Sequence, residues 1–412
     1  MESTSRPRLL LLSFYSPSAT GKGSRIRAWA WLETLSRHYS IYLLILGEPP
    51  QCDLSSHTEF VAHIPPEWSS IRAESDSGMG RLRFLSSVLA GPLPGYWDLK
   101  AEEIARIARV LPVREFDAVF AIRLSMAYVG QQLLDSGQLT GKAIGFDLDD
   151  RESMFARRNA RLTGLSHGKL MALEAFLRGP RLERLERRMA RRWGQVFVCS
   201  KQDADELNES QRDVRFTSIP NTLRDPGLLP PLEPMPGTAR LLFVGSLAYV
   251  ANEDGLEWFV KEVWPELGRQ FGQLKWMLNV VGAKPTKRVI EMTAGEGISL
   301  AADVPEVQPY YDAADVVVVP LRMGAGTRIK IIEALAMGRP VVSTSIGAEG
   351  LEISHGRDIL IADDAGSFAA ACQAIVDDAG LRTRLRDQGR MTYERCYTIA
   401  SFAREVEVAL GL

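Results

Sequence analysis

The sequence predicts an α/β protein made of two doubly wound, Rossmann-like domains. Three observations carry that expectation. The 412 residues exceed what one hydrophobic core usually organises. Short apolar strand-like runs alternate with helix-like runs in both halves, the pattern of parallel sheets with crossover helices. Between the halves, residues 220–237 hold six prolines and few bulky side chains, which no regular interior element tolerates.

In the first half, strands are expected at 9–14, 41–46, 118–123 and 143–147, with a helix over 24–37. A long charged helical stretch runs from Arg151 to Trp193, and 195–200 is again an apolar strand, with Ser200 and Asp203 opening the next helix. Beyond the proline-rich segment, 240–245, 275–281, 298–301, 316–320 and 341–344 read as five strands, separated by helices such as 255–271 and 328–337. The expected division is a first domain over 1–219, a linker over 220–238, a second domain over 239–390 and a terminal region over 391–412. The last helix, about 401–410, can pack back on the first domain.

Composition narrows the function classes. With 46% hydrophobic and 24% charged residues the chain is ordinary globular material, and a formal net charge of −2 gives no global field drawing it to nucleic acid. Cys52, Cys199, Cys372 and Cys396 lie far apart, without the close pairs of a zinc or redox site, which fits a reduced, cytoplasmic protein. The apolar run Leu9–Leu12 is too short to span a bilayer and reads as a buried strand.

The stretch richest in chemistry is Val316-Val-Val-Val-Pro-Leu-Arg-Met-Gly-Ala-Gly-Thr-Arg-Ile-Lys-Ile-Ile-Glu333: strand, glycine turn, helix. Gly324 and Gly326 let backbone approach a ligand, Thr327 is placed to cap the helix, and Gly338 with Pro340 ends it. Arg328 and Lys330 then fall in the first helical turn, where the helix dipole disfavours cations by roughly 0.3 to 1 kcal/mol each. A bound diphosphate reverses that penalty, because free amides, dipole and both cations converge on one anion. Full solvation of both side chains is the bland alternative. Glu333 shares a helix face with Lys330, so it can either reach ribose hydroxyls beyond the phosphates or pair with the lysine.

These residues resemble the GT-B glycosyltransferases of the GT4 type, and the resemblance extends over nearly the whole chain, most strongly over 239–352. It implies a GT-B fold, a nucleoside diphosphate sugar as donor and retention at the anomeric carbon, with no cofactor or metal required. The family carries two glutamates separated by seven intervening residues, one for the donor sugar and one for the ribose. Glu333 matches the second; the first falls on Ala325, so the amides of Gly324, Ala325, Gly326 and Thr327 would substitute for it. This version is similar to the branch found among exopolysaccharide and sugar-transferase gene products. Phe243-Val-Gly245-Ser246-Leu247 resembles the family's first strand and glycine turn of the donor domain. Family members often place an arginine and a lysine just after it; here Ser246 and Asn252 stand there, with the charge moved to Arg328 and Lys330. Asp303 and Val304 fall where the family holds the nucleobase, while Tyr310 and Tyr311 read as packing residues and Glu349 as a further residue near the donor.

In the first half, Gly21 and Gly23 lie in a glycine loop entering a helix, which the family uses near the phosphates and the acceptor. The spacing of glycine, lysine and hydroxyl is wrong for a Walker loop. Arg25 and Arg27 would face either the cleft between the domains or solvent. Phe146-Asp-Leu-Asp-Asp150 invites a metal-binding or phosphatase reading, but a strand end is the better account, with Asp149 or Asp150 an acceptor-side base or orienting group, or a helix cap. The five histidines have no metal-binding spacing, so a metal-free site is expected. The arginines of 178–192 are interleaved with Glu183 and Glu186. They read as an ion-paired solvated face, or as a peripheral contact with an anionic membrane.

The activity expected is hexose transfer from a nucleoside diphosphate sugar to a saccharide or lipid-linked acceptor in polysaccharide or glycoconjugate biosynthesis. The competing readings are an epimerase or hydrolase using the same donor site, and a degenerate chain that only binds nucleotide or a partner enzyme.

Overall fold

The structure is a computed structural model and describes residues 6–65, 93, 96, 98–157, 169–227, 229, 237–270, 274–324 and 328–412. Among them, seven parallel strands form one sheet and six form a second. The chain divides into two compact units, residues 1–221 with 402–412, and residues 222–401. Within the proline-rich segment, 228 and 230–236 lie outside the described residues.

The first unit builds β1 (Arg8–Ser13), β2 (Ser40–Ile45), β3 (Phe60–His63), β4 (Glu115–Ile122), β5 (Thr140–Asp149), β6 (Gln195–Val198) and β7 (Arg215–Ser218), in spatial order β3-β2-β1-β4-β5-β6-β7. The chain starts at β1, winds outward to β3, and returns to the other side of β1 as β4. Leu9–Leu12 are fully buried because helices cover both faces, as a parallel sheet demands. Trp31, on the Gly23–Leu35 helix, is completely buried against Phe120, Phe197 and Phe402. Burying Phe402 contributes about 1.5 to 3 kcal/mol and anchors the terminal helix, Ile399–Leu410, to this unit. His38 and Gln195 add hydrogen bonds to Glu407 and to the Ala409 carbonyl.

The second unit builds β8 (Thr238–Val244), β9 (Lys275–Gly282), β10 (Ile298–Ala302), β11 (Val316–Val319), β12 (Val341–Ser343) and β13 (Leu360–Ile361), in order β10-β9-β8-β11-β12-β13. All four valines of β11 are buried. One face of the sheet packs on Trp258, Phe259 and Phe368; the other packs on Ile331, Leu335 and Tyr393. The helix expected over 255–271 begins earlier, at Val250, and changes to a π-helical turn at Phe259–Val263 before resuming to Gln270.

No helix among the described residues is long and apolar enough to cross a membrane. On the Lys169–Trp193 helix Arg187 binds Glu183 and Arg191 binds Asp213, and Arg157 reaches Glu183 from the preceding segment. Arg188 lies over the Tyr128 ring.

Candidate functional site

Open parallel sheets bind ligands beyond the carboxyl ends of their strands, where adjacent strands send their connections in opposite directions. In the second unit that point lies between β8 and β11, since β8 leads toward β9 and β11 toward β12. Two stretches therefore converge there, Gly245–Tyr249 after β8 and 320–324 after β11.

Gly245 permits the first loop's close packing. A Cβ on it would lie 2.6 Å from Asn252 Nδ2 and 2.9 Å from Lys330 Nζ. The exposed Ser246 turns the chain into the Val250–Trp258 helix, and its carbonyl accepts from Asn252 Nδ2 at 2.8 Å. From the second loop, Gly324 takes φ +129°, and a Cβ there would meet Arg328 Nη2 at 2.9 Å. Ala325, Gly326 and Thr327 lie outside the described residues.

The helix that follows is Ile329–Ala336, with Arg328 at the N-cap in extended backbone (φ −90°, ψ 92°). This corrects one expectation: Arg328 precedes the first turn rather than lying in it. Arg328 is nonetheless buried, with Nη2 3.5 Å from the Ile346 carbonyl. Lys330 is in the first turn. Its ammonium donates to Asn252 Oδ1 at 2.7 Å and sits 4.8 Å from the centre of the Phe243 ring. Neither cation is the solvated surface residue of the bland alternative.

Glu333 does not form the alternative ion pair with Lys330. Its Oε2 accepts from the Tyr311 hydroxyl at 2.9 Å, and no carboxylate among the described residues is ion-paired with the lysine. Burial and the neighbouring Arg328 guanidinium bring the Lys330 pKa down to about 7, against a smaller opposing pull from Glu333. Burial raises the Glu333 carboxyl, with the Tyr311 hydrogen bond and Lys330 opposing. Lys330 is thus held by neutral partners at the end of the sheet, the electrostatics that an added anion would complement. Asp303 (φ +51°) donates its amide to Gly282 and accepts from the Lys284 amide at 2.9 Å, joining the loops after β9 and β10. Val304 packs with the cluster that contains Tyr311. Glu349 ends the short Ser345–Ala348 helix.

In the first unit the corresponding switch point lies between β1 and β4. Gly21 takes φ +98°, and Gly23 opens the Gly23–Leu35 helix. Arg27 faces neither solvent nor a cleft. It is fully buried and grips Asp147 through Nε at 2.7 Å and Nη2 at 2.6 Å, with Nη1 donating to the Ile219 carbonyl and Asn221. Arg25 is taken by Glu48. Asp149 Oδ2 accepts from Arg123 at 2.9 Å, and its Oδ1 lies 3.4 Å from Arg27 Nε. Arg123 and Asp149 both adopt positive φ, 85° and 61°, a strained backbone that concentrates at functional sites. Asp149, Asp150 and Cys199 bring ligand atoms within 4.8 Å of one another, but the two guanidiniums on Asp149 oppose a further cation there.

Sequence reasoning missed Arg123, a lone arginine after an apolar strand. It placed Asn252 in the phosphate region only by resemblance and read Tyr311 as packing, whereas Asn252 holds Lys330 and the Tyr311 hydroxyl reaches Glu333 from a different helix.

Two doubly wound parallel sheets, with paired cations at the switch point of the second, define a protein of the GT-B type. Residues 238–378 match the family described as Glycosyl transferases group 1. It is 33% identical over 137 residues to an uncharacterized 44.6 kDa protein in the cps region of Klebsiella pneumoniae, covering 31% of this chain and 35% of that protein. It is 39% identical over 88 residues to D-inositol 3-phosphate glycosyltransferase of Pseudarthrobacter chlorophenolicus, covering 21% of this chain and 20% of that protein. These curated relatives are therefore matched over about a third of their length or less. Across 98% of both chains the fold is similar to sucrose-phosphate synthase of Thermosynechococcus elongatus, with a TM-score of 0.67 and 16% identity. Anabaena HepE, solved with UDP-glucose, matches with a TM-score of 0.62 and 12% identity over 99% of this chain and 100% of that one.

Proposed function

We propose that the chain is a metal-independent glycosyltransferase that moves a hexose, with retention, from a nucleoside diphosphate sugar to a saccharide or lipid-linked acceptor. The observation that carries the reading is Lys330: a half-buried side chain beside Arg328, its ammonium held by a neutral amide and an aromatic face at the switch point. Such a group is poorly stabilised without an anion and well stabilised with one.

In this reading the diphosphate lies against the Gly245 and Ser246 turn and the amides of 324–327. Arg328 and Lys330 neutralise it as it leaves, and Glu333, held by Tyr311, fixes the ribose. Asp303 and Val304 border the base. The C1–O bond to the diphosphate breaks with its electron pair going to the phosphate, the acceptor oxygen bonds to C1, and its proton passes to the departing phosphate oxygen. In the first unit Asp149 orients Arg123 toward the acceptor side, near Gly21 and Gly23. The relative in a cps region supports a place in capsular or related polysaccharide synthesis, and we place that work at the cytoplasmic face of the membrane.

The test is incubation of the purified chain with a panel of nucleotide sugars, with and without saccharide and lipid-linked acceptors. Glycosylated acceptor is expected. Free nucleotide and free sugar without product would make it a hydrolase, and binding without any turnover would make it a degenerate nucleotide-binding protein.

A further inference from the structure

Lys330 carries a long flexible stem, and four rotatable bonds would spread its charge over several ångströms unless something held it. What holds it is Asn252, a side chain with 6% exposure on a helix distant in sequence. Its amide orientation is dictated by its partners. Nδ2 donates to the Ser246 carbonyl at 2.8 Å, which leaves Oδ1 to accept from the ammonium at 2.7 Å; the flipped amide would set donor against donor and acceptor against acceptor. Both groups sit directly over Gly245, where any Cβ would collide with them.

The supports of this cation are neutral. Asn252 offers a carbonyl dipole and Phe243 the face of its ring. Of the charged groups nearby, Arg328 is of like sign, and Glu333 on the next turn is engaged by Tyr311. A carboxylate at position 252 would hold the lysine equally well but would cancel the charge that an anion needs.

We propose that Asn252 is a positioning residue that presents the Lys330 ammonium, un-neutralised, to the diphosphate of the donor over the Gly245 turn. The proposal rests on the donor-site reading above and adds to it a residue that acts through Lys330.

The experiment uses the full chain and isothermal titration with UDP-glucose, GDP-mannose and ADP-glucose, carrying forward the tightest. Asn252→Ala is expected to weaken binding about tenfold or more, the usual scale of a hydrogen bond to a charged group. In a Lys330→Ala background the same change should cost nothing further. Asn252→Asp, close to isosteric, should weaken binding and move the pH at which affinity declines upward by about one unit or more, because an adjacent carboxylate keeps the lysine protonated. A residue that merely braces the loop would leave that pH unchanged. Wild-type affinity in Asn252→Ala, an equal loss with and without Lys330, or an unmoved pH profile in Asn252→Asp would each overturn the proposal. Should the alanine variant not fold, the aspartate variant decides. If Lys330→Ala alone binds like wild type, the failure lies in the donor-site assignment and not in the role of Asn252.

Discussion

Raising the pH should release the donor, and Lys330 sets how steeply. With its pKa at about 7 in the empty site, Lys330 is about half charged at pH 7 and only about one part in a hundred charged at pH 9. An ionised diphosphate beside it holds the proton far more tightly, so binding takes up a proton whenever the lysine was neutral. By linkage, affinity then falls by about fiftyfold between pH 7 and pH 9, and changes only about twofold between pH 7 and pH 6. A nucleoside diphosphate sugar is the right probe, because its two phosphates carry no proton to titrate in this range. Isothermal titration in buffers of different ionisation enthalpy would count the protons taken up. Lys330→Met keeps the apolar stem and should bind weakly with a flat profile. A wild-type profile as flat as that of Lys330→Met would refute the argument. Stability moves the other way: between pH 7 and the ordinary lysine value of 10.5 the unfolded chain holds a proton that the native site does not, so this residue makes the empty protein more stable as pH rises through that window.

Three further outcomes follow from the same reasoning. Arg27→Ala strands a fully buried Asp147 and should destabilise the first unit by about 3 to 5 kcal/mol, read from urea unfolding, while diphosphate binding by the second unit changes little. Glu186, buried and bonded to the Ser153 amide and hydroxyl, has its pKa raised to about 7 by burial. The unfolded chain loses that proton near 4.5, so the native protein gains stability as pH falls from about 7 toward 4.5, and Glu186→Gln should flatten that part of a melting-temperature profile. Tyr311→Phe frees Glu333 and should weaken nucleotide binding by about fivefold to tenfold in titration, with an unchanged affinity arguing against a ribose contact by Glu333.

The alternation of apolar runs and helical stretches made both sheets legible, because parallel strands buried on two faces leave unbroken runs such as Val316–Val319. Gly324 was legible for a local reason, a glycine where positive φ is needed, and the helix expected over 328–337 is found at Ile329–Ala336. What was hidden is tertiary. Arg27 looks like a surface residue in a helix of mixed character, and only the end of β5 supplies the Asp147 that lets it be buried. Lys330 and Glu333, one turn apart, suggest a pair; Tyr311 and Asn252, remote in sequence, separate them. The one-residue shift that puts Arg328 at the cap lies at the edge of what local signals determine.

The central claim is that the second unit binds a diphosphate through the start of the Ile329–Ala336 helix. Its most direct test is the dissociation constant of a nucleoside diphosphate, taken from a panel of UDP, GDP, ADP and dTDP, for the wild-type chain and for Arg328→Ala. The account predicts that one of the panel binds the wild type and that the variant binds it at least about tenfold more weakly. Equal dissociation constants for the two proteins would contradict it.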